Sequence, residues 1–249
     1  NVLPASWRKY FDPRTIYLVY KYLKTHDVST CIVIQPYQGF VGYLACRLVK
    51  ANFVVYAHNL EYRRFQSLGK WWYFVIYVIE TFIFRLADLV LFVSMEDLNR
   101  ARNDLNLGYD RCFFLPPVIS ESSVPFTKPN KEIFRIIYFA DFSYFPNRKC
   151  LTNIVEKIIP LLDKSTSHPY ELHIFGRGIS DSYFERYLRP VKNVKYFGFV
   201  QDIDNKIREA DVLLNPVLEG GGVQTKVIKT LAAGTTVISS ETGACGISR

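Results

Sequence analysis

The chain has 249 residues, of which 49% are hydrophobic, 16% aromatic and 22% charged, with a net charge of +8 and a pI of about 9.2. That balance fits a globular protein with a sizeable core, large enough for one big or two modest domains, and no low-complexity tract or solenoid repeat interrupts it. The basic surplus favours an anionic partner, whereas five scattered cysteines (Cys31, Cys46, Cys112, Cys150, Cys245) and four histidines without ligand spacing argue against a disulfide framework or a zinc site.

The opening residues "NVLPASWRKYFDP" contain no apolar signal core and no initiator Met, so the chain reads as a possible fragment. Hydrophobic periodicity then predicts a helix over 13–25, a strand over 30–35, a helix over 39–50 and a strand over 53–57. The most apolar run, 71–93 (WWYFVIYVIETFIFRLADLVLFV), is broken by Glu80, Arg85 and Asp88 and is too short to cross a bilayer. It divides into a buried helix over 70–87 and a strand over 89–94, followed by a helix over 95–106 and a strand over 112–115.

Residues 116–131 (PPVISESSVPFTKPNK) hold four prolines and three serines with no long apolar run, the composition of a linker. Beyond it come strands over 134–139, 171–175, 194–197, 211–215 and 236–239. Helices over 147–164, 180–189, 202–209 and 223–233 separate them. The strands are nearly continuous apolar runs, as parallel strands covered on both faces require. The expected fold is therefore α/β, with two doubly wound Rossmann-like domains, 1–115 and 132–249, joined by 116–131 and facing a cleft. In such sheets ligands bind beyond the carboxyl ends of the strands.

One stretch carries the ingredients of an anion site: "EGGGVQTKVIKTLAAG", 219–234. Glycine lets backbone amides approach a ligand closely. The helix that follows presents unpaired N–H groups and partial positive charge at its start. Lys226 and Lys229, three apart, share a face there. A cation in a first turn opposes the helix dipole by ~0.3–1 kcal/mol, and a bound anion reverses that sign. A Gly-rich turn with solvated lysines would give the same pattern. Likewise His58, where the strand 53–57 gives way to "NLEYRR", is either a site residue or a strand-end histidine bonded to backbone.

Several segments resemble, in order, the carboxyl-terminal domain of retaining GT-B glycosyltransferases of the family 4 type. They are "FADFSYFPNRKCLTNIVEKIIPLL" (139–162), "ELHIFGRG" (171–178) and "VKYFGFVQDIDNKIREADVLLNPVLEGGGVQTKVIKTLAAGTTVISSETGACGI" (194–247). More briefly, "VVYAHNLEY" (54–62) and "IETFIFRLADLVLFVSMEDLNRA" (79–101) are similar to parts of the amino-terminal, acceptor-side domain. The resemblance implies that Gly220, Gly221, Gly222, Thr225 and Lys226 hold the diphosphate of a nucleotide-sugar donor. The family's basic pair near the start of the second domain is displaced here: Arg148 and Lys149 of "PNRK" are either phosphate contacts in its place or caps of a solvated helix, and Arg177 of "FGRG" is another candidate contact. It implies that His58 is the catalytic residue facing the donor sugar, with Glu61 and Arg63 as weaker candidates beside it.

The chain also departs from the family pattern. Where the family carries a pair of glutamates, the aligned positions hold Gly221 and Lys229, and Glu219 is out of register. Lysine has no hydrogen-bond acceptor, so recognition of the nucleoside around Lys229 and Glu219 must differ or be lost. An earlier strand and glycine-rich loop, and terminal crossing helices, are not visible, so both domains are expected to be incomplete.

The expected function is transfer of a hexose-type sugar, with retention, from a nucleotide sugar to a glycan or lipid-linked acceptor, without metal or other cofactor. A non-catalytic GT-B binder of sugar nucleotides or glycans is the alternative. A GT-B epimerase would need acid–base carboxylates, and none is identified. Nucleic acid is not an expected partner, because the basic residues are dispersed and no RNA- or DNA-binding module is present. A cytoplasmic location is expected, with peripheral contact at a membrane's inner face through Arg63, Arg64, Lys70, Trp71, Trp72 and Tyr73, although a buried helix with a charged approach would read alike.

Overall fold

The computed structural model describes residues 12–118, 132–219 and 222–247. They divide into two compact units. One comprises 12–117 with 222–223 and 245–247; the other comprises 118, 132–219 and 224–244.

The first unit begins with α1 (Pro13–Thr25), whose Asp12 side chain accepts the Arg14 amide while Pro13 takes the first helical position. β1 (Thr30–Ile34), α2 (Gly39–Val49) and β2 (Asn52–Ala57) follow. Next comes α3 (Glu61–Ser67), where no helix is predicted from the sequence, then α4 (Tyr73–Leu86), β3 (Leu89–Phe92), α5 (Met95–Asp104) and β4 (Cys112–Phe114). The four strands are parallel in the order β1-β2-β3-β4. Their core holds Phe53, Val55, Phe84 and Phe92, all essentially sealed from solvent.

Two details differ from the sequence expectation. Among the described residues β1 lies at the edge of its sheet, and Ile32 and Ile34 are 58% and 60% exposed, so the described residues cover only one face of its apolar run. The segment predicted as one helix over 70–87 is preceded by α3. Gly69, at φ +64°, closes that short helix in the left-handed conformation, and the Lys70 amide returns to the Phe65 carbonyl at 3.0 Å.

The second unit contains β5 (Phe134–Phe139), α6 (Phe145–Asn153), α7 (Ile159–Ser165), β6 (Tyr170–Phe175), α8 (Asp181–Tyr183), β7 (Val194–Tyr196), α9 (Ile203–Glu209), β8 (Val212–Asn215), α10 (Thr225–Ala232) and β9 (Thr236–Ser239). A wider π-helical stretch, Ile154–Ile158, joins α6 to α7 just before Pro160, whose missing N–H interrupts the regular ladder. All five strands are parallel, in the order β7-β6-β5-β8-β9. The chain starts in the middle of this sheet, builds outward to β7, then returns to the other side of β5. The strand order therefore reverses between β5 and β8, and a crevice at their carboxyl ends is where such sheets take ligands. β8 is buried at every residue, as its apolar run Val212–Leu214 predicts, and the buried Asn215 at its end donates to the Gly243 carbonyl at 3.2 Å.

Candidate functional site

A pocket of about 400 Å³ lies at the carboxyl ends of β5 and β6. Phe139, Phe175 and Phe199 give it aromatic walls, and Asp141 and Arg177 supply its charges. Phe199 is 70% exposed although apolar, an open face against which a planar ring can stack. The pocket exists because two backbones approach closely. Gly176, at φ +138°, lies where an added Cβ would fall 1.8 Å from the Ala140 carbonyl oxygen, so only glycine fits. Arg177 Nε donates to Asp141 Oδ2 at 3.0 Å, and the Ser143 amide donates to Asp141 Oδ1, also at 3.0 Å. Chiefly the Ser143 amide, with Arg177, holds the Asp141 carboxyl below its usual value.

The start of α10 is a second feature of the same unit. Its N-cap residue Gln224 gives no side-chain hydrogen bond. The Val227 and Ile228 amides turn back to the Gln224 carbonyl, whereas the Thr225 and Lys226 amides take no backbone partner among the described residues. Lys226 Nζ is sealed from solvent and has no hydrogen-bond partner among the described residues. It lies 4.6 Å from the centre of the Tyr138 ring, a cation–π contact that only partly replaces water. Burial pushes its pKa down to about 8.

The other predicted cations are each engaged. Lys149 pairs with Glu219. Arg148 reaches the Phe142 carbonyl at 3.4 Å, and Lys229 lies 3.5 Å from Asp204. Gly220 and Gly221 lie outside the described residues, whereas Gly222 has φ +79°. Thus the structure joins Lys149 to Glu219, places Arg177 at the aromatic pocket, and sets Lys226 and Lys229 in separate surroundings. Among the described residues no group of three His, Cys, Asp or Glu side chains could hold a metal ion.

In the first unit His58 is exposed just beyond β2, its ring 5.0 Å from that of Tyr56 and nearly perpendicular to it. Gln35, at φ 67° after β1, donates from Nε2 to Asn59 Oδ1 at 2.7 Å. Glu61 is buried, accepting from the Tyr37 hydroxyl and from Arg64 Nε at 2.9 Å. Glu80, with no solvent exposure, accepts the Glu61 and Tyr62 amides at 3.0 and 3.1 Å. Burial pushes its pKa up to about 8, even though those amides oppose the shift. Sequence reasoning passed over Gln35, Tyr37 and Glu80, and in the second unit Phe139, Asp141, Phe175 and Phe199. The strand-end pairs "FAD" and "FGR" were the available signal for the pocket, since equivalent strand ends share one edge of the sheet.

The basic–aromatic cluster after His58 is arranged differently from expectation. Arg64 turns inward to Glu61, and Trp72 is half-buried against Phe65, their ring centres 4.5 Å apart. Arg63, Lys70 and Trp71 are exposed, and the open apolar face continues along α4 through Phe74, Val78 and Phe82. No helix among the described residues is long and apolar enough to cross a membrane.

Comparison with known proteins agrees with this geometry. Residues 133–249 match the family described as Glycosyl transferases group 1. Over 252 aligned positions the chain is 23% identical to the O-antigen biosynthesis glycosyltransferase WbnH of Escherichia coli, covering 98% of this chain and 67% of that protein. Its fold is similar to the apo form of the lipopolysaccharide outer core galactosyltransferase WaaB. The TM-score there is 0.63 at 15% identity, over 100% of this chain and 65% of WaaB. Anabaena HepE, solved with UDP and glucose, gives a TM-score of 0.66 at 15% identity over 91% of this chain and 63% of HepE. The chain thus spans about two thirds of the length of these relatives. The parallel sheets, the strand reversal between β5 and β8 and the likeness to these structures lead to one assignment: the chain has the GT-B α/β fold, and its residues 133–249 are similar to the glycosyl transferases group 1 family.

Proposed function

We propose that the chain is a glycosyltransferase that moves a hexose-type sugar, with retention, from a nucleotide sugar to a glycan or lipid-linked acceptor, without a metal. The observation that carries this reading is the start of α10: amides without a cap beside Lys226, a sealed ammonium with no hydrogen-bond partner. A cation in that state is stabilised by an anion. The donor diphosphate is the anion proposed, with Thr225, Gly222 and the neighbouring glycines Gly220 and Gly221 as backbone contacts. Arg148, Lys149 and Arg177 are its proposed side-chain contacts. When the bond from the anomeric carbon to the phosphate oxygen breaks, its electron pair leaves with the diphosphate. The α10 amides and Lys226 stabilise that growing charge. The acceptor hydroxyl oxygen forms the new bond to the anomeric carbon and its proton passes to the departing diphosphate oxygen, and His58 is the residue proposed to orient the sugar.

The aromatic pocket is the proposed seat of the nucleobase. UDP, which HepE binds, is the first nucleotide to try. Lys229 and Glu219 remain the proposed nucleoside region, with the acceptor that Lys229 lacks supplied by Asp204 beside it. Calorimetric titration with UDP, GDP and ADP and their sugar conjugates tests this reading. Saturable binding that Lys226→Met weakens by tenfold or more is expected. Absence of binding by the folded chain would overturn the donor site. Binding without transfer or hydrolysis would favour the alternative, a sugar-nucleotide or glycan binder.

A cytoplasmic place at the inner face of a membrane is proposed with it, where a lipid-linked acceptor resides. Every exposed charge over 62–87 is basic, since Glu80, the one acidic residue there, is buried. Arg63 and Lys70 beside the apolar row Trp71, Phe74, Val78 and Phe82 therefore suit anionic lipid. Co-sedimentation with phosphatidylglycerol vesicles, lost in Phe74→Ser/Phe82→Ser, is the expected result; equal pelleting of both proteins would remove the membrane from the proposal.

A further inference from the structure

The turn that carries His58 leads into a helix that cannot cap itself. The N-cap of α3 is Leu60, whose side chain accepts no hydrogen bond. Its first amides are nevertheless satisfied. Glu80, nineteen residues on in α4, accepts from the Glu61 amide with one carboxyl oxygen and from the Tyr62 amide with the other. Asp97 of α5 faces the same turn, where the Leu60 amide pulls its carboxyl down against the burial that raises it, and its own amide donates to the Ser94 hydroxyl at 3.3 Å. Glu80 and Ser94 are fully buried and Asp97 nearly so, and the second Asp97 oxygen is sealed without a partner. Two carboxyls from different helices thus converge on one helix start inside an apolar core.

Packing alone does not explain this arrangement. A leucine at position 80 would fill similar volume without burying an ionisable group. What the two carboxyls fix is the backbone at 60–62, and His58 stands two residues before it. On the other side Gln35 holds Asn59. We propose that Glu80, assisted by Asp97, is a positioning residue for the reaction: it clamps the start of α3 and so sets where the His58 imidazole is held. The inference rests on the reading of His58 as the catalytic residue.

The test uses Glu80→Gln in the full chain. Glutamine keeps the shape but offers one acceptor oxygen, and its NH2 group faces an amide donor. Hydrogen exchange at the Leu60, Glu61 and Tyr62 amides is expected to quicken at least tenfold, and the His58 ring resonances to move, while UDP affinity stays within twofold. With the donor and acceptor in hand, turnover should fall at least tenfold. His58→Ala combined with Glu80→Gln should be no slower than His58→Ala alone, because the two changes act through one group. Additive losses in that pair would reduce Glu80 to a purely structural role and overturn the proposal, as would unchanged amide exchange. If His58→Ala leaves turnover intact while the amides still loosen in Glu80→Gln, the His58 reading fails and positioning falls with it, although the clamp itself stands. Should Glu80→Gln not fold, Asp97→Ala, which removes the assisting carboxyl and leaves both Glu80 contacts in place, must show the same changes to a smaller extent for the proposal to survive.

Discussion

Two helix starts in this molecule solve the same problem in opposite ways. At α3 the exposed positive end of the backbone is filled by the chain's own acids, Glu80 and Asp97, buried and aimed inward. At α10 no side chain caps the helix, and the nearby Lys226 adds a second positive charge instead of a negative one. A helix start whose amides are already taken by the chain's own buried carboxyls is an anchor. One left open beside an unpaired cation would be filled by an anion from outside, as proposed for the donor diphosphate.

The largest effect expected from breaking this contrast is at α3. Glu80→Leu leaves two buried amides without acceptors, and each such group costs about 1–3 kcal/mol. A loss of about 2–6 kcal/mol in urea or thermal unfolding is therefore expected. A loss under about 1 kcal/mol would mean that water or a rearranged Asp97 replaces the clamp. At α10 the sign reverses. Lys226→Met removes a buried, unpaired charge, so the free protein should gain about 1–3 kcal/mol in stability at pH 7. Its affinity for UDP should fall by tenfold or more, since a charge-assisted hydrogen bond contributes about 1.5–3 kcal/mol. Stability and binding moving in opposite directions is the signature of a site held ready at a cost to the empty fold.

Titration separates the same two places. Glu80 has a folded pKa of about 8 against an ordinary 4.5, and Asp97 about 6 against 3.8, both raised by burial. Between those values the folded chain binds more protons than the unfolded one, so stability should fall as pH rises from about 4 to 8. Lys226 works the other way. Its folded value of about 8 lies below the ordinary 10.5, so the folded chain releases its proton first. The burial penalty, full below pH 8, should fade between pH 8 and 10.5, and stability should recover there. Unfolding curves of wild type, Glu80→Gln and Lys226→Met across pH 4–10 would check this. Each variant should flatten only its own limb.

The contrast also explains what the sequence could and could not disclose. Local signals sufficed for β8, whose every residue is buried, and for the start of α1, where Asp12 and Pro13 are adjacent in the chain. They sufficed for α10 itself, because its apolar periodicity lies within one contiguous stretch. α3 was missed because its cap is not local: the N-cap position falls on Leu60, one residue after Asn59, and the acceptor for its first amides comes from position 80. The aromatic pocket was missed for a related reason. Phe139, Phe175 and Phe199 stand on three separate stretches, and only the order β7-β6-β5 brings them to one edge. The basic cluster misled by composition, since nothing in "RRFQSLGKWW" says that Arg64 and Trp72 turn inward while Phe74, Val78 and Phe82 stay out.

The smallest expected effect concerns Lys149 and Glu219, a pair at the surface of the second unit, just ahead of the glycines that lead to α10. Both side chains keep substantial solvent contact, so the pair contributes little to the fold, and Glu219→Gln should change stability by less than about 1 kcal/mol. Its effect on binding should nevertheless be measurable. The change removes a negative charge near the proposed diphosphate seat and leaves the Lys149 ammonium without its partner. UDP should then bind up to severalfold more tightly at low ionic strength, and the gain should shrink at 0.5 M salt, where charges at exposed sites are screened. Weaker binding would point the other way, to Glu219 as an acceptor for the ribose hydroxyls, insensitive to salt. The two outcomes divide cleanly: in one Glu219 guards an empty anion site, and in the other it takes over the work that Lys229, having no acceptor, cannot do.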